Sequence, residues 1–529
     1  MAATVTQDDS LVEYGFRRVI ITITAVLCAL LEIVDTTIVN VALNQMRGTL
    51  GATLTDIAWV ITAYAIANVI IIPMTSWLSQ QFGRRNYFAV SIIVFTVASF
   101  LCGNATNIWE LVFFRFIQGM GGGALLVTAQ TIITESYPAE KRGMAQAIYG
   151  MGVIVGPTLG PPLGGYIVDH YHWGWIFYIN VPLGIIATLL TLMYVKSPKY
   201  GEKLKPNQVD WWGIVFLASF IGSLQYVLEH GQQDDWFADP TIIMLSIISV
   251  FGLLAFIWRE MTYQYPIVNL SVLKDSNLRI GTIMCFILGF GLYGSTFIVP
   301  IYTQSVLGWT ALETGLLLIP SSLTTAFMMP IIGRLIQKGV PQTYMVAVGF
   351  LVFFFFTFWM HNIITNDTGE EHMFWPLIMR GMGLGLLFVP ITTLSLSTLK
   401  GKGIGEGAAF TGMMRQLGGS FGIAIITTFI SRFGQQHRVD LISHLDKASF
   451  AVQQRVEGLK HSFMGKGFSE SESLAKAYQI LDFNVTKQAT ILSYMDVFMY
   501  LGILFLLCIP FILLVKRGKG KVDMSEAMH

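Results

Sequence analysis

The chain has 529 residues, of which 53% are hydrophobic and only 12% charged. An average soluble protein carries about 25% charged residues, so these charges are too few to cover a water-facing surface of this mass. That excludes an ordinary soluble enzyme and a disordered chain, and the formal net charge of +1 gives no reason to expect a nucleic-acid partner. Cys28, Cys102, Cys285 and Cys508 lie in apolar runs without metal-type spacing, which argues against a zinc site or a disulfide framework.

A membrane-crossing helix needs about 20 mostly apolar residues. Such runs recur along the chain and give fourteen predicted spans, near 19–43, 57–79, 86–105, 109–133, 143–168, 175–195, 211–230, 241–258, 279–304, 312–336, 342–361, 373–398, 406–431 and 490–515. The first is too long for a signal-peptide core and is followed by no small-residue cleavage pattern, so it is expected to persist in the mature protein. Lysine and arginine crowd every second connection, at Arg17 and Arg18, Arg84 and Arg85, Lys141 and Arg142, Lys196 to Lys205, Arg259 to Arg279, Arg334 and Lys338, Lys400 and Lys402, and Lys516 to Lys521. The short alternate loops carry only Arg47. The positive-inside rule then puts both termini in the cytoplasm. One outer segment, 432–489, is long, mixed in charge and helical in pattern.

The spans divide as six, two and six, because three stretches recur in order. Ser76 to Arg85 after span two matches Gly333 to Gly339 after span ten. Arg115 to Gly123 in span four matches Arg380 to Gly385 in span twelve, and glycine-rich span five matches Gly418 to Gly422 in span thirteen. Two similar six-helix halves about an axis along the membrane normal are a transporter plan. The expected units are 1–198, an inserted pair with its linker at 199–275, and 276–529 carrying the outer segment.

Ionisable residues inside spans are costly and therefore functional candidates. Glu32 and Asp35 are three apart in span one, hence on one helix face. Asp35 lies seventeen residues past Arg18, about 25 Å along a helix, at the depth expected for Arg115, so the two are expected to pair. Burial disfavours a carboxylate while a guanidinium favours it, and that competition suits a proton-coupling site. A static ion pair is the plainer alternative. Arg380 and Arg415 are buried charges of the second half, and Asp496 is a candidate partner for Arg380. Span five carries Gly152, Gly156, Pro157, Gly160, Pro161, Gly164 and Gly165. A smooth, bendable helix of this kind suits either a gate between the halves or plain close packing. Gly83, Arg84 and Arg85 form an inner-loop element that either closes the cytoplasmic side or anchors topology.

Together these residues resemble the major facilitator superfamily, and more narrowly its fourteen-helix drug/proton antiporters of the EmrB/QacA type, over essentially the whole chain. Asp35 to Leu43 is similar to the family's span-one motif, Arg115 to Gly123 to its span-four motif, Gly152 to Gly165 to its antiporter motif, and Trp173 to Pro182 is also typical. The inner-loop motif departs, with Gln80 and Gln81 where the family carries an acid and a base and Ser76 for its first glycine, and Asn44 stands where proline often ends the span-one motif. The resemblance implies an all-α polytopic membrane protein of the major facilitator fold, with 14 transmembrane helices (6+2+6) in two pseudo-symmetric six-helix halves. It also implies that Asp35 takes part in proton coupling.

In such a fold spans one, two, nine and ten line the cavity. Tyr64, Asn68, Tyr293, Phe297 and Tyr302 are candidate substrate contacts, and Met413 and Met414 could adapt to varied shapes, although such residues at helical spacing also serve as packing. No Walker-type phosphate loop is present. The expected activity is therefore proton-driven efflux of lipophilic compounds across the bacterial inner membrane, without a cofactor; a partner-dependent exporter, in which 432–489 contacts a periplasmic adaptor resembling that of EmrB-type pumps, is a further possibility. A proton-linked nutrient uptake carrier and a non-transporting sensor or scaffold are the alternatives.

Overall fold

The computed structural model describes residues 11–198, 208–446 and 449–512. Lys199, Lys203, Lys205 and the basic cluster at 516–521 lie outside the described residues. The helices are α1 Gly15–Leu50, α2 Leu54–Phe82, α3 Arg84–Gly103, α4 Ile108–Ser136, α5 Arg142–His170, α6 Trp175–Tyr178, α7 Asn180–Tyr194, α8 Trp211–His230, α9 Pro240–Thr262, α10 Ser276–Ser305, α11 Ala311–Gln337, α12 Gln342–Ile363, α13 Glu370–Leu396, α14 Lys402–Ser443, α15 Phe450–Met464 and α16 Glu470–Ile512. Among the described residues, fourteen segments are long and apolar enough to cross a membrane, α6 and α7 sharing the sixth crossing. These are the fourteen predicted spans.

Local chemistry sets the boundaries. At the start of α2 the Thr53 hydroxyl accepts from the Asp56 backbone N–H at 3.1 Å, while the Asp56 carboxylate accepts from the Thr53 N–H at 3.2 Å. Thr310 and Glu313 repeat this capping box at the start of α11. Gly83 joins α2 directly to α3 with φ +81°, a backbone conformation that costs glycine little and other residues much.

Packing repeats between the halves. α1 lies on α5 as α10 lies on α14, α2 on α4 as α11 on α13, and α3 on α7 as α12 on α16. The inserted pair, α8 and α9, packs on itself and against α2 and α14. The halves meet where α5 runs along α11 and α2 along α14, whereas α1 and α10 share no extended contact. We call the face where α1 begins the near face and the opposite one the far face. Across the seam on the near face, Arg142 Nη1 donates to the Leu399 carbonyl at 3.3 Å, and a Cβ on Gly333 would come within 3.1 Å of the Gly143 carbonyl.

α14 has 42 residues and α16 has 43, about 63 and 65 Å of helix against a hydrocarbon core of about 30 Å. Both therefore overrun the far face by roughly 30 Å. The outer segment read from sequence is thus two unbroken helical extensions plus α15. Arg438 pairs with Asp482 at 2.7 Å and His437 with Asp496 at 2.7 Å, tying the extensions together.

Candidate functional site

Four helices converge on Asp35. Arg115 Nη1 of α4 donates to Asp35 Oδ2 at 2.6 Å, and Gln118 Nε2 and Asn180 Nδ2 both donate to Oδ1 at 2.8 Å. Arg115 Nη1 also reaches Gln118 Oε1 at 2.7 Å, and its Nε donates to the Val60 carbonyl at 3.2 Å. The Tyr64 ring covers the guanidinium, 4.1 Å from Cζ to the centroid. Ser99 of α3 accepts from Gln118 at 3.1 Å and Asn180 at 3.0 Å and donates to the Phe177 carbonyl at 3.1 Å. Asp35 is completely buried and Arg115 nearly so. A charge pair removed from water is tolerable only when its remaining valences are filled in this way.

Glu32, one helical turn away on α1, stands in a different environment. The Asn68 amide donates to its Oε1 at 2.9 Å. Among the described residues no cationic nitrogen lies within 4 Å of it, although it is only 3% exposed. Around it, among the described residues, Tyr64 Oη and Asn68 Oδ1 have no hydrogen-bond partner. Across the seam, Arg415 of α14 is close enough for its charge to act on Glu32. Arg415 Nη2 donates to Tyr149 Oη of α5 at 3.4 Å, while Nη1 has no partner.

The remaining candidates sort by contact. Arg380 donates to the hydroxyls of Ser295 at 2.9 Å, Ser321 at 3.1 Å and Thr296. Asp496 is not its partner: α16 carries that acid to the α14 extension, where it meets His437. Tyr302 is fully buried and donates to the Thr365 carbonyl at 2.7 Å, so it packs inside the second half instead of lining a cavity. Tyr293 and Phe297 are half-buried, and Tyr293 lies against Gly419. Met413 fills the contact between α2, α4 and α14, and Met414 packs among residues of the inserted pair. Arg84 pairs with Glu135 inside the first half, and the Arg85 side chain is exposed. Arg142 is the basic residue of this face that bonds across the seam, to the Leu399 carbonyl. A cavity of about 300 Å³ at the near face, lined by Ser76, Gln80, Arg84, Thr128 and Lys402 among others, contains none of the expected aromatic contacts.

The glycine motif of α5 also faces elsewhere than a gate between halves would require. A Cβ on Gly152 would stand 3.1 Å from Val26, on Gly156 2.6 Å from Ile33, on Gly160 2.0 Å from Thr37 and on Gly164 2.9 Å from Ile38. The stripe is therefore the groove in which α1 of the same half lies. α5 meets the other half through Tyr149, Thr158 and Pro162, which approach Arg415, Ser322 and Gly315. Pro157 and Pro161 sit within the helix, and Gly165 faces open space.

Sequence reasoning did not single out Asn180, Ser99, Tyr149 or the seam role of Arg142. Asn180 had a visible signal, an amide inside the run from Trp173 to Pro182.

Fourteen crossings in two repeated bundles, with charge buried at their seam, define a membrane transporter, not an enzyme. Residues 25–423 match the Major Facilitator Superfamily, and the chain belongs to it. The chain is similar to the fatty acid resistance protein FarB of Neisseria gonorrhoeae, 34% identical over 94% of this chain and 96% of that protein. It is likewise similar to the multidrug export protein EmrB of Escherichia coli K12, 33% identical over 97% and 98% of the two chains. The crystal structure of the human organic anion transporter MFSD10 shares the fold, with a TM-score of 0.57 at 13% identity over 93% of this chain and 100% of that one.

Proposed function

We propose that the protein exports lipophilic compounds, of several chemical kinds, across the bacterial inner membrane in exchange for protons. The multidrug export protein EmrB supports the direction, and EmrB and the fatty acid resistance protein FarB support the cargo. The near face is cytoplasmic in this reading, as the distribution of Lys and Arg supports. The six-helix halves at 1–198 and 276–529 rock about the seam with 199–275 as the inserted pair, and the closed near face with α1 and α10 apart is one end state of that cycle. No cofactor is needed. The electrical gradient supplies about 2.3 kcal/mol per charge per 100 mV.

The observation that carries the reading is the contrast on one face of α1. Asp35 is saturated by donors, while Glu32 has a single neutral donor and a cation across the seam. Rocking changes the distance from Glu32 to Arg415, so conformation and protonation are linked there. Asp35 takes part when the Arg115 contact loosens. The test is transport of a lipophilic dye in proteoliposomes with an imposed pH gradient. Asp35→Asn and Glu32→Gln should each lose gradient-driven export, and Glu32→Gln should retain downhill exchange. Full gradient-driven export by Asp35→Asn refutes the assignment. A periplasmic adaptor docks on the α14 to α16 extension in this reading, and pull-down with and without residues 432–489 tests it.

A further inference from the structure

The Arg415 guanidinium is 2% exposed and sits inside the membrane-spanning part of α14. Its backbone is fixed, because a Cβ on Gly289 of α10 would stand 1.9 Å from the Arg415 carbonyl oxygen, so the two helices are in direct contact there. Its side chain is not similarly satisfied. Nη2 makes one long bond to the Tyr149 hydroxyl, Nη1 makes none, and among the described residues no carboxylate lies within 4 Å. Tyr293 shares the guanidinium, and the Phe388 ring lies 5.5 Å from Cζ. Arg115, by contrast, donates through Nε and Nη1 to the Val60 carbonyl, the Asp35 carboxylate and the Gln118 amide oxygen.

A buried guanidinium without a counter-charge is expensive. Among the described buried acids of the two halves, Glu135 pairs with Arg84 and Glu406 with Lys402, whereas Glu32 and Asp35 are the acids that act on Arg415 and Arg115. Asp35 is committed to Arg115, and Arg380 is enclosed by three hydroxyls. The unanswered positive charge is therefore at Arg415, across the seam from Glu32 and its Asn68 partner. A guanidinium is shaped to take a carboxylate through two parallel N–H bonds.

We propose that Arg415 anchors the anionic group of amphipathic substrates, above all carboxylates with an apolar tail, with the Tyr149 and Tyr293 hydroxyls beside it. This rests on the export reading and names one substrate class for it. Glu32, opposite, opposes the same anion, so the two charges set the preference between anionic and cationic cargo.

The test uses the full chain in phosphatidylcholine nanodiscs, with dodecanoate and dodecyltrimethylammonium as probes of equal tail length. Arg415→Gln should weaken dodecanoate binding at least tenfold and leave dodecyltrimethylammonium unchanged or tighter, with Arg415→Lys in between for dodecanoate. Glu32→Gln should tighten dodecanoate several-fold, and it serves as the reading if Arg415→Gln does not fold. Unchanged dodecanoate binding in Arg415→Gln, equal loss of both probes in a folded protein, or no tightening in Glu32→Gln overturns the proposal. Proteoliposome flux of dodecyltrimethylammonium separates the two claims. Flux with unchanged dodecanoate binding in Arg415→Gln sinks the anion site alone, whereas selective loss of dodecanoate binding without flux of any probe sinks export alone.

Discussion

Gly160→Ala tests whether the glycine stripe holds the acid-bearing helix in place. The added Cβ would stand 2.0 Å from Thr37 Oγ1, 2.8 Å from Thr37 Cβ and 3.0 Å from the Ile38 backbone nitrogen. The hydroxyl can rotate, at the loss of its bonds to the Ile33 and Val34 carbonyls, both 3.1 Å, or about 1 kcal/mol. The other two atoms cannot rotate away. Carbon–carbon contact is comfortable near 3.5–4.0 Å, so α1 and α5 must part by about 0.7 Å, and such overpacking costs about 1–3 kcal/mol. The expected total is about 2–4 kcal/mol. Asp35 lies two residues before Thr37, and the same displacement would stretch its 2.8 Å bonds to Gln118 and Asn180 to about 3.5 Å, beyond hydrogen-bond range. Thermal unfolding of the purified protein should fall by several degrees, and export should be lost in proteoliposomes. Gly165→Ala, whose Cβ meets nothing within 4 Å, is the control and should match or exceed the parent in stability. If the two variants unfold alike, or Gly160→Ala exports at the parental rate, the packing argument is wrong.

Other substitutions follow from individual contacts. Arg115→Met leaves Asp35 buried without its counter-charge and should cost about 3–5 kcal/mol; adding Asp35→Asn should recover part of that, and thermal unfolding of the double variant no better than the single refutes the ion-pair reasoning. Tyr302→Phe removes the bond to the Thr365 carbonyl, so stability should drop by about 1 kcal/mol with the range of exported compounds unchanged; an altered range would return Tyr302 to the substrate path. Arg142→Ala cuts the near-face bond to Leu399, worth about 1 kcal/mol, and should raise by roughly fivefold the alkylation rate of a cysteine placed at Ser76; an unchanged rate shows that Arg142 is not a latch.

The helices and their repeat were legible because a bilayer forces long apolar runs and leaves charge only where it is needed. The Asp35–Arg115 pairing followed from depth alone, since helix rise converts residue number into height. Direction around the helix axis was harder. Glycine spacing revealed a smooth face on α5 but not whether α1 or the second half lay on it. Asp496 has the depth to suit Arg380, yet α16 turns it toward the α14 extension and His437. Tyr302 likewise has the composition of a cavity residue and the orientation of a core one. Glu32 and Asp35 share a face, but their unequal partners come from α2, α4 and α7, positions that the spacing within α1 does not encode.

In the proposed cycle, α5 links charge inside the first half to movement of the second. One side of this helix grips α1 along the glycine stripe, so the backbone bearing Glu32 and Asp35 moves with it. The opposite side places the Tyr149 hydroxyl between the Leu126 carbonyl of α4, to which it donates at 3.2 Å, and Arg415 of α14. The bond to Leu126 is internal to the first half and survives rocking. The bond to Arg415 crosses the seam and is already long at 3.4 Å, so a further displacement of half an ångström takes it past hydrogen-bond range. Arg415 then has still fewer partners inside the protein, and its interaction with Glu32, or with whatever anion lies between them, gains weight. A tilt of the halves is thus converted at one hydroxyl into a change in the electrostatics felt by the one carboxylate of α1 that no cation neutralises.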